Sequence, residues 1–163
     1  MTHVHLRACF ALVLVATVAA CGFQRQGIAR MPEIMRVTYV DSKDERTEFQ
    51  TVLRRALEAS GATLTAKKED ATATLKILSD ETGQRVLSVS ARNTPTEYEV
   101  FYTVEFAVAG MSGELLPPQK LTLTRDYSFN EQALLAKERE EEILREALAR
   151  DLVGIVLRRL ASL

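Results

Sequence analysis

The thiol of Cys21 is the side chain of this sequence that is best placed to take part in chemistry. The other cysteine, Cys9, and both histidines, His3 and His5, lie within the first twenty residues. If that segment is removed, the remaining chain has one cysteine, no histidine and no tryptophan. Pairs of Ser or Cys with His, zinc sites built from His or Cys, and CxxC redox centres therefore lack their components. One thiol also cannot form an internal disulfide.

A site built from carboxylates alone is not excluded by these counts. Glycosidases, for example, use two carboxyl groups that lie about 5 to 9.5 Å apart. Glu99 and Glu105 share one face of a predicted strand, but their separation along it is roughly 20 Å at about 3.3 Å per residue. A hydrolase is therefore the weakest of the interpretations, and we expect no catalytic residues, no metal site and no cofactor.

The first twenty residues are typical of a signal peptide. Arg7 precedes an apolar stretch over residues 8–16, and the small residues Ala19 and Ala20 follow it. A membrane-spanning helix needs about 20 apolar residues, and this stretch is shorter. We therefore expect residues 1–20 to be cleaved rather than to remain as a membrane span.

The residues before Cys21 indicate a covalent use for its thiol. The stretch from Val18 to Cys21 resembles the lipobox of bacterial lipoproteins, in which the cysteine is acylated and becomes the new N-terminus. Each buried CH₂ contributes about 0.8 kcal/mol, and stable anchoring takes two or more acyl chains. We expect lipidation at Cys21 and a tether over residues 21–33, in preference to a buried thiol. The next residue is Gly22 and not aspartate, which by resemblance to sorted lipoproteins favours the outer membrane.

The length and charge of the remaining chain indicate one domain without a nucleic-acid partner. From Cys21 onward there are 143 residues, which suits a single domain with a hydrophobic core, here expected over residues 34–163. Removal of residues 1–20 takes away Arg7 and no acid, which leaves 20 basic and 22 acidic residues. Such a balance gives no reason to expect binding to nucleic acid, so any basic site is local.

The first elements predicted are a strand and a helix. Residues 34–41 alternate as a β-strand does, and one side of that strand would hold Met35, Val37 and Tyr39. Ser42 and Glu45 match a capping box, which predicts the start of a helix, and Gly61 suits its C-terminal end. The apolar positions of this helix recur at helical spacing and are Phe49, Val52, Leu53, Ala56 and Leu57.

The middle of the chain is rich in strands. Residues 71–80 and 84–91 flank Glu81-Thr82-Gly83, which predicts either a hairpin turn or a bulge within one long strand. That alternative leaves the number of strands at four or five. Residues 97–110 alternate clearly, and a loop with one glycine and two prolines separates them from a strand over 120–129.

A long helix completes the domain, with Asn130 as its N-cap and its end near Leu160. Its apolar positions are Leu134, Ile143, Leu144, Ala147, Leu148, Leu152, Ile155 and Val156. The order of elements predicts an α/β two-layer sandwich, in which a four- or five-stranded mixed sheet carries two helices on one face. The first crossover should make the first strand parallel to a neighbour.

This arrangement leaves the second face of the sheet uncovered. The residues predicted there are mostly Thr, Ser and single charges, namely Thr72, Thr74, Lys76, Ser88, Ser90, Glu99, Thr103, Glu105, Lys120, Thr122 and Thr124. A solvated antiparallel face has this composition. The alternative is a polar platform that meets a polar ligand or fits inside a hydrated cavity.

Taken together, these features resemble the LptE family of lipopolysaccharide (LPS)-assembly lipoproteins. The resemblance lies in the lipobox followed by CGFQRQG, in ARNTPTEYEVFYTVEF, in TRDYSFNEQALLAKEREEEILREAL, and in the order of elements over residues 21–163. It implies a noncatalytic protein that sits as a plug in the lumen of the outer-membrane β-barrel LptD, helps it to fold and binds LPS. The alternative is a peripheral outer-membrane lipoprotein that binds a lipid or periplasmic ligand without a barrel partner.

The resemblance also implies two contacts with LPS. Arg92 matches an arginine with which the family binds LPS, although its spacing to Glu97 is one residue shorter than in the usual pattern. A second family contact is a lysine on the strand before the last helix, where the nearest bases are Lys120 and Arg125. Lys120 is the candidate for that contact. The alternative for each candidate is an ordinary exposed base.

Overall fold

The structure, a computed structural model, describes residues 30–128 and 134–163, and for residues 134–137 it describes the backbone alone. The predicted signal peptide, Cys21 and the predicted N-cap Asn130 lie outside the described residues. The elements in chain order are β1 (Val37–Ser42), α1 (Glu48–Ala59), β2 (Thr63–Thr65), β3 (Ala73–Val89), β4 (Pro95–Gly110), β5 (Gly113–Ser128) and α2 (Leu134–Leu160). Short 3-10 turns occupy Glu33–Met35 and Lys68–Asp70.

The five strands form one mixed sheet in the order β2-β1-β3-β4-β5. β1 is parallel to both β2 and β3, whereas β4 is antiparallel to both β3 and β5. The two helices contact each other, and α2 also packs on β4 and β5. The predicted α/β two-layer sandwich is therefore confirmed, as is the parallel pairing of the first strand. None of the described helices is both long and apolar enough to cross a membrane.

Residues 71–91 hold one long strand, β3, and no hairpin. Glu81, Thr82 and Gly83 pair in register with β4, and the irregularities lie instead between Ile77 and Ser79 and over residues 86–89. Gly83 has a packing role, because a Cβ there would lie 2.8 Å from Cζ of Phe101 on β4. The fifth strand is β2, whose three residues were too few to be predicted from the sequence.

β5 begins at Gly113, earlier than the predicted start at residue 120, and includes both prolines of the predicted loop. Gln119 lies opposite Phe106, whereas Leu116 lies opposite Val108, so the two prolines lie in a β-bulge. Proline has no N–H to donate and is therefore tolerated only at bulges and on edge strands. β5 is an edge strand, which satisfies both conditions.

Helix α1 begins at Glu48 and not after Ser42, because β1 continues through Ser42. Thr47 is the N-cap, and its side-chain oxygen accepts a hydrogen bond from the Gln50 N–H at 3.2 Å. The Gln50 side chain donates from Nε2 to Ser42 Oγ at 2.9 Å, so it ties the helix to the end of β1. The predicted capping box was wrong because a strand end and a helix start can contain the same polar residues.

The C-terminal end of α1 agrees with the prediction. Gly61 has a φ of +94°, a conformation that glycine adopts without strain. The Ala62 N–H donates to the Leu57 carbonyl at 3.1 Å, and the Gly61 N–H donates to the Glu58 carbonyl at 3.0 Å. These two bonds form a Schellman motif, which satisfies carbonyls that the last helical turn leaves open.

The core lies between the sheet and the two helices. Its fully buried side chains include Phe49, Leu53 and Leu57 of α1, Val100, Val104 and Phe106 of β4, and Leu148, Leu152 and Val156 of α2. Each large apolar side chain buried in this way contributes about 1.5–3 kcal/mol relative to full exposure. The predicted apolar faces of α1 and β4 are therefore the faces that build the core.

The predicted apolar face of β1 was wrong in phase, whereas that of α2 was right at Leu148, Leu152 and Val156 and wrong at Ile143. On β1 the core side holds Thr38 and Val40, because Met35 belongs to the preceding 3-10 turn and not to the strand. The buried Thr38 hydroxyl donates to the Met35 carbonyl at 2.6 Å, which allows a polar side chain in the core. On α2, Ile143 is 53% exposed, whereas Val153 is buried.

A buried hydrogen-bond network joins the start of α1 to the sheet. The Tyr102 hydroxyl donates to Asp80 Oδ1 at 2.8 Å and accepts from the Phe49 N–H at 3.4 Å. Thr47 Oγ1 donates to the other oxygen of Asp80 at 2.5 Å. Burial and the Asp80 carboxylate raise the pKa of the Tyr102 phenol, so it remains a neutral donor.

Removing this hydroxyl should destabilise the fold and change its response to alkali. Tyr102→Phe leaves a buried Phe49 N–H without its partner, which costs about 1–3 kcal/mol. The folded state disfavours the Tyr102 phenolate. The contribution of Tyr102 to the free energy of unfolding is therefore fully present below about pH 10 and is lost as the pH rises further. We expect a smaller alkaline loss in the variant. Urea unfolding of both proteins at neutral and alkaline pH measures this, and equal alkaline slopes would exclude Tyr102 as the cause.

Candidate ligand-binding surface

The sheet face away from the helices carries most of the polar residues predicted for it. The strand register places on this face Thr74, Lys76, Ser88, Glu99, Thr103, Glu105, Lys120, Thr122 and Thr124. Thr72 precedes β3 and bonds to the backbone of Val37, and Ser90 lies in the turn after β3.

Several of these polar side chains are bonded across the strands. The hydroxyls of Thr103 and Thr122 lie 2.9 Å apart and share a hydrogen bond. Arg85 forms an ion pair with Glu99, with 2.5 Å between Nη2 and Oε1. This pairing occupies Glu99, and Glu105 lies six positions away on the same strand, so the structure does not join them into a catalytic pair. The face is therefore suited to contact with a polar surface.

The turn between β3 and β4 holds the first candidate residue. The Ser90 N–H donates to the Thr94 carbonyl at 2.8 Å, and the Asn93 N–H donates to the Ser90 carbonyl at 2.9 Å. Asn93 has a φ of +60°, a left-handed conformation that asparagine tolerates. The Ser90 hydroxyl accepts the N–H groups of Arg92 and Thr94, each at 3.3 Å. These bonds fix the backbone from which the Arg92 side chain projects.

The Arg92 side chain is exposed at the tip of this turn. Within residues 30–128 and 134–163, no carboxylate lies within ion-pair distance of its guanidinium group. An unpaired guanidinium offers five N–H donors in a planar arrangement that matches a phosphate or carboxylate. The turn therefore presents a cation that is available to an external anion.

Exposed apolar side chains precede the turn. Val86 is 48% exposed, Leu87 45% and Val89 52%. The sequence placed these residues on a strand without showing that they are uncovered. The sequence does contain an indication of this exposure. The neighbours Val86 and Leu87 point to opposite faces of a regular strand, so they cannot both enter one core.

A shallow groove of about 430 Å³ runs beside Leu87. Its remaining lining residues are Glu97, Asp126, Tyr127, Ser128 and Glu140. The ring of Tyr127 stacks on that of Tyr98 with 5.6 Å between the centroids. Burial and the nearby Glu141 raise the pKa of the Tyr127 phenol, whose hydroxyl donates to Gln84 Oε1 at 3.0 Å. The groove combines one apolar wall with carboxylates, so it disfavours anions.

Lys120 lies far from Arg92. On β5 it is opposite Glu105 of β4, whereas the turn with Arg92 precedes Pro95, the first residue of β4. Ten residues of strand separate Glu105 from Pro95, which is roughly 30 Å. The structure therefore does not bring the two candidate bases together. Arg125, the other base on β5, is held in an ion pair with Asp151 of α2 at 2.9 Å.

Metal binding has no visible site in the part of the chain that the structure describes. No group of three or more His, Cys, Asp or Glu side chains there could hold a metal ion. A groove of about 450 Å³ near the N-terminal end of the domain is open and includes the charged residues Arg30, Glu33 and Arg36 in its lining. Such open, partly charged grooves do not enclose an apolar ligand in the way that a lipid cavity does.

The fold is shared with solved structures of bacterial lipoproteins. Rare lipoprotein B from Shewanella oneidensis is 29% identical with a TM-score of 0.68, and the match covers 77% of this chain and 94% of that one. Lipoprotein B from Nitrosomonas europaea is 26% identical with a TM-score of 0.72, covering 86% and 91% of the two chains. The protein therefore has the fold of these lipoproteins, a two-layer α/β sandwich in which one face of the sheet is uncovered.

Sequence comparison defines the family. The family model for LptE, described as lipopolysaccharide-assembly, matches residues 35–160. The LPS-assembly lipoprotein LptE of Pectobacterium atrosepticum is 27% identical over 94% of this chain and 85% of its own length. That of Yersinia enterocolitica is 26% identical over 91% of this chain and 71% of its own length. The chain belongs to the LptE family of LPS-assembly proteins.

Proposed function

We propose that the protein is an outer-membrane lipoprotein that plugs the LptD β-barrel, helps it to assemble and binds LPS during its insertion into the outer leaflet. The observation that carries this proposal is the LptE family match, because it spans nearly the whole domain, residues 35–160. Relatives in Pectobacterium and Yersinia bear the name LPS-assembly lipoprotein. The role needs binding surfaces and no catalytic group, cofactor or nucleic acid.

The uncovered sheet face supports the role of a plug. A β-barrel of the outer membrane is apolar outside and polar in its lumen, so a protein inside it needs a polar surface. Exposed polar side chains on one side of the sheet supply such a surface, namely Arg85, Lys120, Thr122 and Thr124. We therefore expect this face to lie against the lumen wall of LptD.

The N-terminal segment supports the localisation. Under this proposal residues 1–20 are removed, Cys21 is acylated, and residues 21–33 connect the anchor to the domain over residues 34–163. Two or more acyl chains are enough for stable anchoring without a membrane span. The anchor then lies in the periplasmic leaflet of the outer membrane, next to the barrel whose lumen the domain occupies.

Arg92 is the residue that we propose for binding a phosphate group of LPS. Its guanidinium is exposed and has no ion-pair partner among the described residues, whereas Arg125 is paired with Asp151. Lys120 is too far from Arg92, at roughly 30 Å along the strands, to bind the same phosphate. We assign Lys120 to a separate contact, in which the neighbouring Glu105 weakens its attraction for an anion.

Charge reversal at Arg92 tests the ligand proposal. Arg92→Asp should weaken LPS binding by roughly tenfold or more, since a charge-assisted hydrogen bond contributes about 1.5–3 kcal/mol and the new charge repels phosphate. Folding should be unchanged, because an exposed substitution costs under about 0.5 kcal/mol. The measurement is binding of purified LPS to the full-length acylated protein in detergent.

Lys67→Asp is the matched control, because it makes the same charge change at an exposed residue between β2 and β3. It should bind LPS like the wild type. If Arg92→Asp folds and binds normally, Arg92 is not a ligand residue. If both variants weaken binding equally, the effect reflects net charge and not a site.

A further inference from the structure

We propose that acyl chains of LPS dock on the end of β3, on a surface formed by Val86, Leu87 and Val89, while Arg92 holds a phosphate of the same molecule. These three side chains are called the β3 apolar patch below. The inference rests on the proposed binding of LPS and extends it from the phosphates to the lipid. It assigns a role to side chains that the phosphate contact does not use.

The β3 apolar patch is unusual for a surface in water. Val86, Leu87 and Val89 fall within four consecutive residues, and each is about half exposed. Single exposed apolar residues are common, but contiguous ones indicate an interaction site. Register shifts between Val86 and Ser88 and between Ser88 and Val89 interrupt the regular alternation at this end of β3, and irregularities of this kind redirect side chains and often lie next to functional sites.

The position of Arg92 identifies the occupant. It follows Val89 by three residues, so the backbone alone separates them by at most roughly 10 Å. A ligand that covers the patch and reaches the guanidinium must combine an apolar chain with an anionic group. An acylated, phosphorylated glycolipid such as the proposed ligand LPS has both, whereas a soluble sugar phosphate lacks the apolar chains.

The groove beside Leu87 fixes the orientation of this ligand. Glu97, Asp126 and Glu140 line it, and their carboxylates repel a phosphate. The phosphate is therefore directed to Arg92, and uncharged parts of the lipid lie toward Leu87. Because of these carboxylates, the phosphate binds Arg92 at the turn and does not enter the groove.

Two forms of one ligand separate the lipid contact from the phosphate contact. The probes are purified LPS and the same LPS after chemical removal of its acyl chains, which keeps the phosphates. The test variant combines Val86→Ser, Leu87→Ser and Val89→Ser in the full-length acylated protein. Met111→Ser is the matched control, since Met111 is 87% exposed but lies in the turn between β4 and β5, at the opposite end of β4. Circular dichroism verifies the fold of each variant.

We expect the triple variant to bind intact LPS about tenfold more weakly or worse and to bind deacylated LPS as the wild type does. Arg92→Asp should weaken binding of both forms, and Met111→Ser should weaken neither. An unchanged affinity of the triple variant for intact LPS would overturn the inference, as would an equal loss for both forms. If the triple variant does not fold, the single change Leu87→Ser decides by the same comparison. A wild-type protein that binds neither form would overturn the proposed function itself.

Discussion

Replacing Cys21 with serine should abolish the acylated N-terminus, so that the protein from which residues 1–20 are removed moves from the membrane fraction to the soluble periplasmic fraction. Loss of the proposed anchor has the largest expected effect in the molecule, because each buried CH₂ of an acyl chain contributes about 0.8 kcal/mol and two or more chains act together. No described helix can replace it as a membrane span. The measurement is fractionation of cells that make the protein in excess over the proposed partner LptD, together with the mass of the mature N-terminus.

Cys9→Ser is the control for this experiment, because Cys9 is the only other cysteine of the chain and lies in the predicted signal peptide. It should leave acylation and membrane attachment unchanged. A Cys21→Ser protein that stays in the membrane with its N-terminus acylated would contradict the predicted anchor. So would a wild-type protein whose mature N-terminus is not at Cys21.

Truncating Leu152 to alanine should cost about 2–5 kcal/mol of unfolding free energy, which is a large part of the stability of a domain of this size. Leu152 is fully buried on the side of α2 that packs against the sheet and α1. The change removes buried apolar atoms and leaves a cavity that close packing fills only in part. Urea unfolding of the purified wild-type and variant proteins measures this loss of unfolding free energy.

Ile143→Ala on the same helix is the matched control. The apolar pattern of the sequence placed both residues on one buried stripe, but Ile143 is 53% exposed. We therefore expect a change within about 0.5 kcal/mol for Ile143→Ala. Equal losses at the two positions would mean that α2 faces the core with a different side from the one described.

The sequence predicted the elements whose pattern is long and regular. Phe49, Leu53 and Leu57 repeat at helical spacing and are all buried in α1, and Gly61 ends that helix with a positive φ. Apolar and polar side chains alternate along β4 as predicted, because long strands flank β4 on both sides. Regular periodicity is imposed by burial on one side, so it can be read without knowledge of the partners.

Other features depended on neighbours that the sequence does not display. Thr38 is buried because its hydroxyl finds the Met35 carbonyl, and this contact requires a 3-10 turn before β1. β2 is a strand because three residues meet the edge of β1. On α2, Ile143 is exposed although Leu148 and Leu152 of the same predicted face are buried, a difference that the periodicity of the sequence does not indicate.

The candidate site was predictable in part. The resemblance to the LptE family selected Arg92, and the structure places that residue exposed at a turn. It did not indicate that Lys120 lies far away, since that distance follows from the strand register. The exposed Val86 and Leu87 were also missed, because exposure at the end of a strand depends on where the helices stop covering the sheet.

The central claim is that this protein works through its surfaces as a partner of the LptD barrel. The most direct measurement is a pull-down from solubilised outer membranes through a tag after Leu163, which is exposed beyond the end of α2. We predict that LptD is recovered with the tagged protein and that barrel maturation fails in cells depleted of it. Recovery without any barrel, together with normal maturation of LptD in depleted cells, would contradict the account.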